Sequence, residues 1–165
     1  MREVAIRELT AADEATVQRL LDAELGGRNQ ARLGELHDVL ALPGFCACLG
    51  DRIVGVATYA LDGDRAELAA IAVSGNHRFA GIGSALIEAV ASTVAAQGGR
   101  ELWLVTTNDN VDALRLYQRR GFHLARIDAR AMDRARELKP TIPLVGRHGI
   151  PLRDELILVR RLPQP

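Results

Sequence analysis

The sequence predicts a mixed α/β fold: a mostly antiparallel sheet of about seven strands, flanked by about four helices. Three observations carry this reading. Short apolar runs recur at 3–9, 45–49, 52–61, 67–73, 101–106, 122–127 and 152–162, bounded by turn residues or by segments with helical spacing. Phe45–Leu49 and Arg52–Leu61 are separated only by Gly50-Asp51, a hairpin signal, and Asp62-Gly63-Asp64 forms the next turn. Glu67–Val73 leads instead into a glycine-bearing loop and a helix, which makes the sheet mixed.

The elements follow in chain order. Glu3–Leu9 alternates as a strand. Thr10 is expected to cap a helix with Asp13 and Glu14 in its first turn, Val17, Leu20, Leu21 and Leu25 as its apolar stripe, and Gly26-Gly27 at its end. A second helix is expected from about Asn29, with Leu33, Leu36, Val39 and Leu40 as its apolar face and Pro43-Gly44 as its stop. Cys46 and Cys48 lie two apart on one strand, at the wrong spacing for a metal or redox pair, and read as small buried thiols. Trp103 shares a face with Val105 and is expected in the core. Asn110 precedes a helix that it can cap, with Gly121 closing it. A short helix over Ala131–Leu138 stops before Pro140, and a segment marked by proline and glycine, Thr141–Pro151, precedes the last strand.

Composition narrows the functional classes. With 165 residues, 48% apolar and 25% charged, residues 1–165 are expected to form one domain with a substantial core. The 21 basic and 21 acidic residues balance, so nothing global favours nucleic acid or an anionic membrane. No apolar run has the length of a membrane span and the N-terminus does not read as a signal peptide, so a cytoplasmic location is expected. No residue set suggests a metal site.

The most informative stretch is Arg78-Phe79-Ala80-Gly81-Ile82-Gly83 before Ser84. Glycines at a loop-to-helix junction let backbone approach a ligand, and the free N–H groups of the helix start attract an anion. A Walker A loop would need Lys and then Ser or Thr after the last glycine, where Ser84-Ala85 stands; a dinucleotide fingerprint would need a third glycine. The Arg-x-x-Gly-x-Gly pattern resembles the coenzyme A pyrophosphate loop of the GNAT family of acyl-CoA-dependent N-acetyltransferases. Asn110-x-x-Ala113-x-x-Leu116-Tyr117-x-x-x-Gly121-Phe122 matches the family's other common signature, in order and at a compatible distance. The two motifs cover about residues 67–122, and the earlier segments extend the resemblance to 1–125.

The resemblance implies a GNAT-like fold and acetyl transfer from acetyl-CoA to a primary amine, by direct attack in a ternary complex. It makes Tyr117 the proton donor to the coenzyme A sulfur, a role suited to a phenol with a reference pKa of about 10. It puts a base at Glu67, which is expected to share a strand face with Ala69, Ile71 and Val73. Strand amides from Ile71 through Ala72 to Val73 would hold the pantetheine arm. Arg78, Phe79, Ala80, Gly81, Ile82, Gly83 and Ser84 would hold the pyrophosphate, with Asn110 and Ala113 completing the coenzyme site. Two departures stand out: the family usually carries Pro near Gly75 and Gly where Phe79 stands. The family also joins its last two strands more directly, so the roughly 25 additional residues here are expected to cover or shape the acceptor site. The loop Gly26–Gln30 is a further candidate wall. The rival readings are a different acyl-CoA donor and a non-catalytic acyl-CoA-binding module. The acceptor that the resemblance implies is an amine on a small molecule or peptide; no nucleic acid or membrane partner is expected, and a homodimer is a reasonable prior.

Overall fold

The computed structural model describes residues 3–78 and 80–164. Seven strands form one sheet in the order β1-β4-β5-β6-β7-β9-β8. They are β1 Val4–Glu8, β4 Gly44–Leu49, β5 Arg52–Asp62, β6 Arg65–Val73, β7 Glu101–Thr107, β8 His123–Asp128 and β9 Glu155–Arg161. All adjacent pairs are antiparallel except β6 and β7. Four α-helices flank the sheet: α1 Glu14–Leu25, α2 Ile82–Ala96, α3 Val111–Arg119 and α4 Ala131–Leu138. The predicted sheet and helix counts are therefore met. Among the described residues no helix is long and apolar enough to cross a membrane.

The second helix expected from Asn29 does not form. A small hairpin takes its place, with β2 Asn29–Arg32 paired to β3 Glu35–Asp38 and a short 3-10 turn over Val39–Ala41. The turn residues Leu33 and Gly34 both have positive φ, 51° and 79°, as a two-residue hairpin turn of matching twist requires. The Arg28 guanidinium clamps the hairpin by donating two 2.8 Å hydrogen bonds to Asp38 across from Asn29. The apolar spacing misled because Leu33 and Leu36 face solvent, whereas Arg32 and Val39 are buried.

Apolar packing covers both faces of the sheet. On one face, Leu86, Ile87, Val90 and Val94 of α2 and Tyr117 of α3 pack on Val54, Leu68, Leu102, Leu104 and Leu158. Gly55 lets α2 lie close, since a Cβ there would stand 3.0 Å from Ile82 and 3.1 Å from Leu86. On the other face, Val17 and Leu21 of α1 pack with Val39, Val56, Ala70 and Ala72. Trp103 is a correction. It points away from the face that buries Leu102 and Leu104, stays half-buried, and carries the Arg65 guanidinium 5.8 Å above its ring. Cys46 and Cys48 are buried free thiols with sulfurs 3.7 Å apart, as their spacing suggested.

Thr10 is the N-cap of the first turn, as expected, although that turn is a 3-10 turn over Ala11–Asp13 ahead of α1. Asp13 completes a capping box with it by accepting the Thr10 backbone N–H at 2.9 Å, and is held by Arg7. Asn110 does not cap α3 with its side chain, which donates instead to the Thr106 hydroxyl at 3.2 Å.

Gly44 tests the β4–β5 register. A Cβ there would lie 2.2 Å from the Ala57 carbonyl oxygen, so backbone must move. Gly44→Ala is expected to cost about 1–3 kcal/mol, the usual range for overpacking. Urea unfolding should show a lower midpoint at an unchanged slope.

Candidate active site

The site begins where two strands part. β6 and β7 are paired only over Arg65–Glu101, Ala66–Leu102 and Glu67–Trp103. Beyond Glu67 they diverge, and the β7-facing edge of β6 is left without a strand partner. Buried backbone N–H and C=O groups need partners, so this edge can receive a ligand chain. Two cavities occupy the wedge and meet at Tyr117.

The first cavity, about 490 Å³, is walled by Ile71, Ala72 and Val73 of β6, by Arg78, Gly81, Gly83 and Ser84, and by Asn110, Ala113, Leu116 and Tyr117 of α3. Gly81 enters α2 at φ 80°, where a side chain would be strained, and the space beside it is open. No side chain caps α2, so the N–H groups of its first turn remain available to an anion. A Cβ on Gly83 would lie 3.1 Å from Leu116, so this glycine serves the packing of α2 on α3. Arg78 is held by Glu24 of α1, whose other oxygen accepts the Gly75 N–H at 2.9 Å. Ile82 is 3% exposed with its side chain in the core, and Ala80 lies outside the wall, so these two can offer only backbone. Phe79, also expected here, lies outside the described residues. His77 also lines this cavity.

Tyr117 is 6% exposed and stands edge-on to Phe122, with ring centroids 5.9 Å apart. Burial pushes its phenol up to about 12, with the Arg147 cation pulling modestly the other way. The hydroxyl is therefore protonated across the neutral range. Arg147 comes from the segment before β9 and lines both cavities. Asp109 pins that segment by accepting the Arg147 N–H at 2.9 Å, and Gly146 leaves room for this carboxylate, which a Cβ would meet at 2.1 Å. Asn108 adds three bonds: it donates to the Pro151 carbonyl at 2.9 Å and accepts the Arg153 and Asp154 N–H groups at 3.0 Å.

The second cavity, about 610 Å³, opens on the α1 and hairpin side. Leu68–Ile71 and Leu104–Thr107 form its floor, Gly26, Gln30 and Arg32 one wall, and Met132, Lys139, Ile142, Pro143, Val145, Leu152 and Glu155 the other. The additional segment thus shapes this cavity, and the Gly26–Gln30 loop borders it.

Glu67 is in neither wall, and its expected strand face is corrected. Thr58 faces Ala70 while Tyr59 faces Leu68, so Ala69 is an extra residue, a β-bulge. The bulge reverses alternation: Ala66, Leu68, Ile71 and Val73 all join the α2-side core, and Glu67 points to the opposite face. There both its oxygens are taken by the Nε and Nη2 groups of Arg32, the latter at 2.8 Å, and both side chains are buried. The remaining nitrogen of Arg32, Nη1, is buried with no hydrogen-bond partner.

Sequence reasoning missed Arg32, Asp109 and Glu155. Arg32 was hidden by the helix reading. Asp109 and Glu155 lacked any motif. Only an acidic residue opening the apolar run 156–159 gave a signal for Glu155.

Two expectations follow. Arg32→Ala or Glu67→Ala alone should destabilise by about 3–5 kcal/mol, because each strands a buried charge. The double replacement Arg32→Met with Glu67→Leu should cost far less, and denaturant unfolding of the three variants measures this. The raised Tyr117 pKa stabilises the fold fully below the unfolded value of about 10, and this contribution is lost as pH rises through about 12. That alkaline loss should shrink in Tyr117→Phe when unfolding is followed against pH.

Comparison with known proteins agrees with this architecture. The family model described as "Acetyltransferase (GNAT) family" matches residues 9–122. The Bacillus subtilis (strain 168) protein YxbD is 40% identical over 112 residues, which cover 68% of this chain and 69% of YxbD. The structure of an IAA acetyltransferase from Bacillus cereus ATCC 14579 superposes with a TM-score of 0.76 at 24% identity, covering 97% of this chain and 100% of that one. A GNAT family acetyltransferase from Elizabethkingia anophelis with acetyl-CoA bound gives a TM-score of 0.69 at 21% identity, covering 96% and 98%. With a family model spanning most of its length and both motifs set around one wedge, this chain belongs to the GNAT acetyltransferase family.

Proposed function

We propose that this protein is an acetyl-CoA-dependent N-acetyltransferase acting on a primary amine. The observation that carries the reading is the junction of the two cavities at a buried, protonated Tyr117. One approach is suited to a coenzyme and the other to an acceptor.

Acetyl-CoA would supply an acyl group activated as a thioester. The first cavity fits such a group by its chemistry. The uncapped start of α2 and the open space beside Gly81 suit a pyrophosphate, and the unpaired edge of β6 at Ile71–Val73 suits an amide-bearing arm. Arg78 would exchange part of its contact with Glu24 for the phosphates. Asn110 and Ala113 would border the arm opposite β6.

Tyr117 then holds a proton for the departing sulfur. Its buried environment keeps the phenol neutral until that proton is needed, and Arg147 eases the charge left behind. The family resemblance puts the base at Glu67. Because both of its oxygens are engaged by Arg32, we assign Glu67 to holding Arg32 in the acceptor wall. A different acyl-CoA donor is the same-class alternative, and a coenzyme-binding module without turnover is the other.

Calorimetric titration with acetyl-CoA, using ATP and NAD as controls, tests the reading. Selective acetyl-CoA binding is expected. Tyr117→Phe should retain that binding and lose on the order of 10²–10⁴ in turnover, the span of a general acid. Absence of acyl-CoA binding would overturn the assignment, and binding without thiol release on any amine would favour the non-catalytic module.

A further inference from the structure

We propose that the acceptor is a cationic amine carried on an apolar body, that its ammonium docks at Glu155, and that Glu155 takes the proton the amine must lose. This rests on the acetyltransferase reading above.

Glu155 opens β9, is 2% exposed and lines the second cavity. The one hydrogen bond of its side chain among the described residues is from the Leu33 N–H to Oε2, at 3.1 Å. No Lys or Arg among the described residues forms an ion pair with it. Most charged groups around it have partners of their own. Arg32 of β2 gives Nε and Nη2 to Glu67, with Nη1 left over. Asp128 of β8, opposite Glu155 in register, is tied to Arg134 of α4 at 2.7 Å. Lys139 donates to the Gly26 and Asn29 carbonyls at 3.1 and 2.8 Å. Asp109 accepts from the Thr107 hydroxyl and from the Arg147 N–H.

Glu155 is thus a buried carboxylate with a cavity in front of it and no ion pair of its own among the described residues, since the nearby Arg32 and Arg134 are bonded to other carboxylates. Such a charge is costly unless a cation arrives. Burial also pushes its carboxyl up, with Asp128 adding to this while Leu33, Arg134 and Arg32 oppose it, so it is a better proton acceptor than an exposed glutamate. The wall beside it is apolar: Met132 and Leu152 are buried, and Ala31 and Ile142 pack against them. This combination accommodates one positive charge on a hydrophobic stem. A polyamine would find no second free carboxylate, because Glu24 and Asp109 of this cavity are engaged by Arg78 and by Thr107 and Arg147, and a carboxylate beside the amine would meet Glu155.

The proton count closes. The ammonium gives one proton to Glu155, and the neutral nitrogen forms the N–C bond as the C–S bond breaks. Tyr117 gives its proton to the sulfur and is restored by the second proton leaving nitrogen. Glu155 releases its proton to water.

The test pairs equilibrium binding with turnover. Hexylamine, phenethylamine, spermidine and glycine are titrated calorimetrically into the coenzyme A-loaded protein, and thiol release from acetyl-CoA is followed with each. The two hydrophobic amines should bind at least tenfold tighter and show at least tenfold higher kcat/KM than the others. Glu155→Gln should abolish their measurable binding, lower kcat/KM by at least 100-fold and flatten the acidic limb of the pH–rate profile, while keeping acetyl-CoA affinity. Glu67→Leu combined with Arg32→Met should keep that limb but move it to higher pH, because the Arg32 charge holds the Glu155 carboxyl down. Preference for spermidine or glycine, or a Glu155→Gln protein that binds and turns over hexylamine normally, overturns the proposal. If Glu155→Gln does not fold, the wild-type amine ranking and Glu155→Asp decide it by the same criteria. Failure of the wild type to bind acetyl-CoA would instead refute the acetyltransferase reading, and this proposal with it.

Discussion

Everything at the centre of this molecule depends on two parallel strands that stay together for three residue pairs and then part. Antiparallel neighbours hold β6 and β7 on their outer sides, so neither strand can swing back to close the gap. The sheet therefore carries an unpaired edge in its interior, where unmet backbone groups are costly. A wedge of this kind is tolerated where it serves a ligand. The bulge at Ala69 adds to it by turning Ile71 and Val73 toward α2 and α3 while Ala70 and Ala72 pack on α1.

The two faces of the sheet divide the work. The α2 and α3 face supplies the anion-attracting helix start and the phenol. The opposite face, roofed by α1, the β2–β3 hairpin and α4, supplies the second cavity. The segment between α4 and β9 links them. It is folded back on itself by the Val145–Pro151 bridge and bolted to the end of β7 by Asn108 and Asp109. Arg147 reaches Tyr117 because of those bolts. A polar stretch that looks like a simple lead-in to α3 is in this way the anchor for a wall of the second cavity.

Charge placement follows one pattern. Carboxylates near the wedge are matched within the fold: Glu24 with Arg78, Glu67 with Arg32, Asp109 with hydroxyl and amide donors. Such matching fixes geometry more than it adds net stability, since desolvation offsets much of the attraction. Against this background Glu155, with one amide donor and no ion pair, and the unpartnered Nη1 of Arg32 stand out beside the second cavity.

The sequence by itself determined the seven strands of the sheet, the helices at Glu14–Leu25, Ile82–Ala96, Val111–Arg119 and Ala131–Leu138, and the family, through Arg78–Gly83 and Asn110–Phe122. These are local signals: apolar period, turn glycines and motif spacing act over a few residues and survive without tertiary context. The hairpin at Asn29–Asp38 was not legible, because a run with leucines three and four apart reads as helix until Arg32 is seen buried against a strand 35 residues away. Nor was the side on which Glu67 lies, since one extra residue in a strand reverses every side chain beyond it. Trp103 facing outward, Asp109 holding a distant loop and Glu155 left without an ion pair are likewise decided by partners far along the chain. Tertiary structure alone sets which charges meet and which are left over, because that depends on distances that no local pattern encodes.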